Sequence, residues 1–319
     1  MQAVNYPVFT HDWEVVFNPN ALSKKCYLHW QAIENILRSI GLSYQQHVAD
    51  SPKAGIQIVK KLCLQGKRHF IAVGGDGTIN EVINGIFLSG VPTNEVYVVV
   101  LPLGTGNDWT RSHDYPSDYL EILNELNHAK FIKHDVGVVE TMVDNKIEDK
   151  RFFINIAGFG FDAAVIQEVN KHKSKVFSKA VYLFNLLKVL LTYSSNKIKI
   201  ITDDASLDED IFTIAVGICQ YNGNGMRQVP MANPVDGIFD VVIIKKIHPF
   251  KVIKNVKSLY EGTHLEALNE AVLYKTTKVE IQSGSYFAGE VEGELIYQGN
   301  YVITILPQSI HMMTMKETW

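Results

Sequence analysis

The sequence is poor in cysteine, has no long apolar run and carries no surplus of positive charge. Its 319 residues include only three cysteines, Cys26, Cys63 and Cys219, whose wide spacing excludes a disulfide scaffold and a paired-thiolate metal site. The longest apolar stretch, Ala180–Tyr193, is interrupted by polar residues and is shorter than the roughly 20 residues that a spanning helix needs. The net charge of -4 provides no general attraction for nucleic acid. We therefore expect no nucleic-acid partner.

The N-terminal segment Met1–Trp13 has no basic start followed by an apolar run. It therefore does not predict a secretory signal, and we expect a cytoplasmic protein. The length of the chain and its 46% hydrophobic content predict two domains, each with its own core.

The pattern of apolar residues along the sequence changes near Gly137. Before this residue, short apolar runs alternate with helical stretches, which predicts an α/β domain with a parallel sheet over 1–137. After it, alternating and β-branched runs separated by turn residues predict a mostly antiparallel β domain over 138–307. The C-terminal tail, about 308–319, is a candidate to return to the first domain. The polar segment Met142–Lys150 predicts an exposed loop.

A predicted buried strand that ends at Val73 leads directly into a glycine-rich turn and then a helix. Glycines allow close backbone approach and positive φ, and the N–H groups that start a helix attract anionic oxygens. A carboxylate here would repel a polyphosphate unless it organises a magnesium ion. The turn predicts a phosphate site with bound metal; the alternative is a purely structural strand-to-helix turn. Its residues are Gly74, Gly75, Asp76, Gly77, Thr78, Ile79, Asn80 and Glu81.

A second turn of small residues follows the next predicted strand in the same way. Neighbouring strand ends of an open parallel sheet share one crevice, so the two turns are expected to converge where a nucleotide can lie. Neither turn has the lysine of a P-loop or the spacing of the dinucleotide fingerprint. The second turn contains Pro102, Gly104, Thr105, Gly106, Asn107 and Asp108.

These two turns together resemble the catalytic domain of the diacylglycerol kinase family, which is shared with sphingosine kinases and related in its first turn to NAD kinases. Three segments of the second half, Ala157–Ala163, Asn222–Pro230 and Asp236–Val241, resemble bacterial lipid kinases. The resemblance implies an α/β N-terminal domain with a parallel sheet, of the NAD kinase and diacylglycerol kinase type. It also implies a mostly antiparallel β-sandwich as the second, lipid-substrate domain.

The resemblance further implies the residues that hold ATP and Mg²⁺. It places magnesium at Asp76, Asp108 and Asp135. It implies a second, structural magnesium at Asn233, Asp236 and Ile238, for which the alternative is a simple Asp-Gly turn between strands. The implied nucleotide contacts are Asn18, Gly74, Gly75, Asp76, Gly77, Thr78, Asn80, Glu81, Gly104, Thr105 and Asn107.

An acidic segment, Glu290–Glu294, is the candidate catalytic element. Phosphoryl transfer to an alcohol needs a carboxylate that accepts the hydroxyl proton. The family has Asp-Gly-Glu here, so Glu292 stands where the aspartate is expected, and Glu294 matches the family glutamate. Either glutamate can be the base; the alternative is a surface hairpin with solvated carboxylates.

The resemblance therefore implies an ATP-dependent kinase that acts on a lipid hydroxyl of the diacylglycerol type. An NAD kinase and a catalytically inactive regulator that binds lipid or nucleotide are the alternatives. A lipid substrate at the membrane surface implies transient, peripheral membrane contact. The basic run Lys171–Lys175 beside an apolar helix is a candidate for that contact, and a solvated face is its alternative. A homodimer is left open.

Overall fold

The computed structural model describes residues 3–21, 26–171, 179–284 and 287–319. Most of the basic run predicted at Lys171–Lys175 lies outside the described residues. The chain divides into two compact units. The first contains Met1–Val136, Pro234–Gly237 and Leu306–Trp319, and the second contains Gly137–Asn233 and Ile238–Ile305.

The first part of the chain alternates strands and helices, as the sequence predicts. Its strands are β1 (Val4–Asn5), β2 (Trp13–Phe17), β3 (Tyr44–Val48), β4 (His69–Gly74) and β5 (Tyr97–Pro102). Its helices are α1 (Cys26–Ser39), α2 (Ala54–Leu64), α3 (Asp76–Leu88), α4 (Asp108–Ser112) and α5 (Tyr119–Glu125).

The rest of the chain is richer in strands. These are β6 (Lys130–Val143), β7 (Lys146–Phe153), β8 (Ile156–Gly160), β9 (Asn196–Ile201), β10 (Ser206–Gly217), β11 (Phe239–Lys245), β12 (Ala271–Thr276), β13 (Lys278–Ser283), β14 (Gly289–Val291), β15 (Glu294–Leu295) and β16 (Asn300–Thr314). The helices are α6 (Phe161–Lys171), α7 (Lys179–Thr192), α8 (Pro249–Lys254), α9 (Val256–Glu261) and α10 (His264–Ala267).

The first unit is built on a parallel sheet in the order β3–β2–β4–β5–β16. All residues of β2 are buried, and so are all but the first of β4, as expected for central strands covered on both faces. In register, Phe17 of β2 pairs with Val73 of β4, and Gly74 pairs with Pro102 of β5. The carboxyl ends of these three strands therefore lie side by side.

The second unit is formed by antiparallel pairs. The strands follow the order β15–β14–β8–β10–β9–β13–β16, with β11 on β10 and β12 on β11. β6 and β7 form a hairpin. This arrangement confirms the mostly antiparallel β architecture.

Each unit has its own apolar core. In the first unit, Trp13 and Phe17 of β2 pack with Trp30 and Leu37 of α1. In the second, Phe161 of α6 packs with Phe212 and with Leu190 of α7, and the two phenyl rings stack at a centroid separation of 4.6 Å. These cores fix the strand ends from which the candidate site residues project.

The structure corrects two expectations about segments. The loop predicted at Met142–Lys150 is wrong, because β6 and β7 continue through it and turn at Asp144 and Asn145. Both turn residues have positive φ, 48° and 61°, which suits a tight hairpin. Pro234–Gly237, placed in the β-rich domain by sequence, belongs to the first unit, because the N–H of Asp135 donates to the Pro234 carbonyl at 2.8 Å.

Among the residues that the structure describes, no helix combines the length and the apolar character needed to cross a membrane.

Candidate nucleotide site and acidic hairpin

The two glycine-rich turns are in direct backbone contact. A Cβ atom added to Gly104 would lie 2.5 Å from the Cα of Gly75, and one added to Gly75 would lie 3.0 Å from the Cα of Gly104. The N–H of Leu103 donates to the carbonyl of Gly74 at 2.7 Å. The convergence expected from the parallel strand order is therefore present, and any side chain at this contact would separate the turns.

Close approach, rather than an unusual φ, explains the glycine at Gly75. Its φ is -96°, which other residues adopt freely. The left-handed conformation is taken instead by Asn107, with a φ of 51°. The Asn107 amide closes the second turn, because Oδ1 accepts the Gly104 N–H and Nδ2 donates to the Gly104 carbonyl, both at 3.1 Å.

Asn18 and Thr78 meet beside the first turn. The Nδ2 of Asn18 donates to the Oγ1 of Thr78 at 3.3 Å, and the N–H of Asn18 donates to the Val73 carbonyl at 3.1 Å. Gly77 and Thr105 are exposed. The structure therefore groups Asn18 and the residues of both turns at one edge of the sheet, and Thr105 of the second turn is exposed there.

Asp76 and Asp108 bring two carboxylates close to Gly106 of the second turn. Asp76 accepts the N–H groups of Asp108 and Trp109, each at 3.3 Å, and so caps the start of α4. A Cβ on Gly106 would lie 3.0 Å from Asp76 Oδ2 and 3.7 Å from Asp108 Oδ2. Burial raises the pKa of Asp76 above its ordinary value, which a nearby cation would counteract. Oxygen donors of this kind suit magnesium.

Glu81 and Asn80, which the resemblance assigns to the nucleotide, have structural partners. Glu81 accepts the N–H groups of Lys53 and Gly55, both at 2.8 Å, and so holds the start of α2. The Oδ1 of buried Asn80 accepts the side-chain amide of Asn84 at 3.0 Å. These bonds hold the start of α2 and the N-terminal part of α3, and a direct contact of either residue with the nucleotide stays a prediction.

Asp135, a predicted magnesium ligand, fastens three distant segments. Its Oδ1 accepts the N–H of Gln308 at 2.6 Å and its Oδ2 accepts the N–H of Gly237 at 2.8 Å. Burial raises its pKa to about 6, although the two amide hydrogen bonds oppose this effect. Both oxygens thus hold backbone segments in place, and the role of Asp135 in binding magnesium stays a prediction.

The three residues predicted to hold a second metal are not all assigned to one unit. Asp236 lies exposed in the Pro234–Gly237 segment of the first unit, whereas Asn233 and Ile238 belong to the second. Their role in holding a metal stays a prediction.

The acidic segment is a tight hairpin of β14 and β15, turning at Glu292 and Gly293 with φ of 49° and 87°. The Oε1 of Glu292 accepts two backbone N–H groups, from Ile154 at 2.7 Å and from Asn155 at 2.8 Å. The side chain of Glu294 is 49% exposed, and its carboxylate lies 3.9 Å from the guanidinium of Arg151. The structure thus holds Glu292 in one orientation and leaves Glu294 at the surface.

A third carboxyl group of this hairpin, Glu290, is fully buried, and sequence reasoning gave it no role. Its Oε2 accepts the Gly293 N–H at 2.7 Å and so braces the turn that carries Glu292. Its Oε1 occupies the space left by the missing side chain of Gly158. Burial raises the pKa of Glu290 to about 8, and the nearby Asp162 carboxylate adds to this effect.

Asp162 continues this buried network. Burial raises its pKa to about 6, and it accepts a hydrogen bond from the side-chain amide of Gln228. The Oε1 of Gln228 accepts the side-chain amide of Asn222 at 3.1 Å. These three residues lie in the two segments that resemble lipid kinases, Ala157–Ala163 and Asn222–Pro230, so the signal that could have identified them was present in the sequence.

The free energy of unfolding of the Glu290→Gln protein, measured relative to that of the unaltered protein, is expected to increase between about pH 5 and about pH 8. Between the ordinary glutamate pKa of 4.5 and the raised value of about 8, the unfolded chain has lost a proton that the folded protein keeps. In the unaltered protein this proton lowers the free energy of unfolding as pH rises, by no more than about 1.4 kcal/mol per pH unit. Glutamine at position 290 removes this contribution. Chemical denaturation across this range measures the difference. Glu121→Gln, at an exposed glutamate, should show no such trend; equal trends in both variants would contradict the assignment.

Both the sequence and the fold are similar to those of known proteins. The sequence matches the diacylglycerol kinase catalytic domain over residues 12–139 and the YegS C-terminal NAD kinase beta sandwich-like domain over residues 155–314. It is 22% identical to a diacylglycerol kinase of Bacillus subtilis strain 168 over 303 residues, which are 92% of this chain and 96% of that protein.

Solved structures show the same fold. A diacylglycerol kinase from Bacillus anthracis strain Sterne has a TM-score of 0.68 at 16% identity, covering 95% of this chain and 96% of that one. Yeast NADH kinase, solved with NADH, has a TM-score of 0.52 at 11% identity, covering 96% of this chain and 84% of that one. The predicted architecture, a parallel α/β domain followed by an antiparallel β-sandwich, is confirmed. The chain therefore belongs to the diacylglycerol kinase catalytic-domain family of phosphotransferases.

Proposed function

We propose that the protein transfers the γ-phosphoryl group of ATP to a hydroxyl group of a lipid of the diacylglycerol type. The observation that carries this proposal is the backbone contact between Gly75 and Gly104 at the carboxyl ends of two adjacent parallel strands. Ligands of open α/β sheets bind at this edge. Family membership supplies the class of reaction, and the arrangement of polar groups around the contact supports the nucleotide.

The nucleotide phosphates would lie against the start of α3. This helix begins directly after Gly75, which has no side chain to cap it, so its first N–H groups and its dipole favour anionic oxygens. The exposed hydroxyl of Thr105 and the amide of Asn18 flank the same turn. Backbone amides thus take the place of the lysine that a P-loop uses.

Asp76 and Asp108 would hold a divalent cation, for which we propose Mg²⁺. An oxygen of each carboxylate lies within 4 Å of the same Cβ position at Gly106, and hard oxygen donors beside a phosphate site are the ligands that this ion prefers. When bound, the cation would neutralise part of the phosphate charge. Burial raises the pKa of Asp76, and a bound cation would lower it again by stabilising the ionised carboxylate.

Glu292 is the group that we propose to accept the proton of the lipid hydroxyl. As the acceptor oxygen forms a bond to the γ-phosphorus, the bond from that phosphorus to the ADP oxygen breaks, ADP leaves, and the hydroxyl proton passes to the carboxylate. The two N–H groups of Ile154 and Asn155 fix the orientation of Glu292, which is the main requirement in a reaction dominated by positioning. Glu294, half exposed, is the second candidate.

Transfer of label from γ-labelled ATP to a panel of acceptors tests this function. The panel contains dispersed diacylglycerol, a sphingoid base, phosphatidylglycerol and NAD, each with and without magnesium. We expect magnesium-dependent labelling of a lipid and none of NAD. Labelling of NAD alone would identify an NAD kinase, and ATP binding without any labelled product would identify an inactive regulator; either result overturns the proposal.

A further inference from the structure

Two short helices of the second unit present an unusual concentration of exposed apolar side chains. Phe250 is 70% exposed, the highest value among the large hydrophobic residues that the structure describes. Three more exposed apolar residues follow within eleven positions, spaced so that they share one side of the two helices. We call these residues, with the exposed lysines between them, the α8–α9 patch: Phe250, Ile253, Lys254, Val256, Lys257 and Tyr260.

The opposite side of these helices is firmly attached to the second unit. Val252 packs against the cluster that contains Phe161. The ammonium group of Lys251 contacts both carboxylate oxygens of Glu270, at 2.8 and 2.7 Å. The carbonyl of Leu259 accepts the N–H of Arg227 at 3.0 Å. Because the base is held in this way, the apolar residues of the patch stay exposed in the folded protein.

The charge around the patch indicates what covers it. Residues 245–261 contain five lysines and one glutamate, and three of these lysines, Lys245, Lys246 and Lys251, pair with acidic residues outside this segment at 2.7–3.2 Å. Lys254 and Lys257 lie exposed in the patch itself, where Lys257 also pairs with Glu261 at 3.2 Å. Aromatic and aliphatic side chains flanked by lysines are typical of segments that lie in the headgroup region of an anionic bilayer. A second copy of the chain fits poorly, because a two-fold interface on this patch would bring Lys254 and Lys257 of both copies into one buried surface, where their like charges are unfavourable.

We propose that the α8–α9 patch docks the protein onto anionic lipid bilayers. The inference rests on the proposed lipid substrate and adds the surface by which the protein would reach it. This surface is different from the basic run near Lys171 that the sequence suggested. Phe250 and Tyr260 would insert at the headgroup level, and Lys254 and Lys257 would face lipid phosphates.

Sedimentation of the full-length protein with vesicles tests the proposal. The vesicles contain equal parts of phosphatidylcholine and phosphatidylglycerol, and pure phosphatidylcholine vesicles provide the comparison. Phe250→Ala and Tyr260→Ala are each expected to weaken binding about tenfold. Lys254→Ala and Lys257→Ala are each expected to weaken it about fivefold, and only in the presence of anionic lipid at low salt.

Matched controls come from the same unit. Ile147 of β7 is 54% exposed and the side chain of Lys197 of β9 is 71% exposed, both outside the patch. Ile147→Ala and Lys197→Ala should bind vesicles as the unaltered protein does, and thermal melting should show that all variants fold. Unchanged vesicle binding by the patch variants would overturn the proposal. So would a change from dimer to monomer, measured by light scattering, without a loss of vesicle binding.

Turnover of a dispersed short-chain diacylglycerol separates docking from chemistry. The patch variants should keep this activity, because the substrate does not require a bilayer. If vesicle binding falls as expected while neither the unaltered protein nor any variant phosphorylates a lipid, docking stands and the proposed function fails.

Discussion

A Gly104→Ala protein is expected to bind ATP about a hundredfold more weakly than the unaltered chain. The added Cβ would lie 2.5 Å from the Cα of Gly75 and 2.6 Å from the Oδ1 of Asn107. Backbone atoms cannot move aside as the end of a side chain can, so the two turns must separate and their amides lose alignment. Isothermal titration with ATP and magnesium measures the affinity, and thermal melting should show a loss of about 1–3 kcal/mol of stability.

Two other glycine variants distinguish loss of fold from loss of the ligand site. A Cβ on Gly77 meets no atom within 4 Å, so Gly77→Ala should melt normally yet weaken ATP binding, since its methyl group occupies space beside the start of α3. Gly284→Ala, equally open but in the second unit, should change neither property. Normal ATP affinity in Gly104→Ala would show that the contact between the turns does not form the nucleotide site.

Glu292→Gln is expected to lower kcat by about a hundredfold to ten-thousandfold, the usual effect of losing a general base. Glutamine keeps an oxygen that can accept the N–H groups of Ile154 and Asn155, so the hairpin should retain its shape. The variant loses only the capacity to take the hydroxyl proton. Initial rates at saturating ATP and lipid measure the effect, and ATP affinity should be unchanged.

Glu294→Gln is the matched control in the same hairpin. Because its carboxylate is half exposed and lies 3.9 Å from Arg151, we expect less than about a tenfold loss of kcat. If Glu294→Gln removes activity and Glu292→Gln does not, the assignment of the two glutamates is reversed. Equal and small effects in both would show that neither takes the proton.

The sequence predicted features that depend on neighbouring residues. The glycine-rich turns after β4 and β5 were recognisable because each follows a β-branched run directly, and the parallel order then required them to meet. Helix α2, Ala54–Leu64, is likewise recognisable from neighbouring residues, because an amphipathic segment is closed by Gly66 with a positive φ of 90°. Local patterns of this kind can be recognised from neighbouring residues without knowledge of the tertiary structure.

Partners that are distant in sequence could not be predicted. The resemblance implied Glu81 as a nucleotide contact, and the pattern gave no sign that its carboxylate accepts the amides of Lys53 and Gly55. The burial of individual charged residues could not be predicted from the sequence either. Glu290 lies among other glutamates, and glutamate is usually exposed, so its raised pKa of about 8 emerges only from the packing of β14 on β8. The Asp144–Asn145 turn was a readable signal, but the charged residues around it favoured a loop.

The fastening by Asp135 has a consequence for how this protein is made. One carboxylate joins residues near 135, 237 and 308, and β16 covers the open edge of β5 with residues close to the end of the chain. When only residues 1–136 have been synthesised, the edge of β5 is therefore unpaired and Asp135 lacks the backbone amides that it accepts in the folded protein. A continuous fragment of residues 1–136 would lack the segments 234–237 and 306–319 that complete the first unit, so it is expected to aggregate.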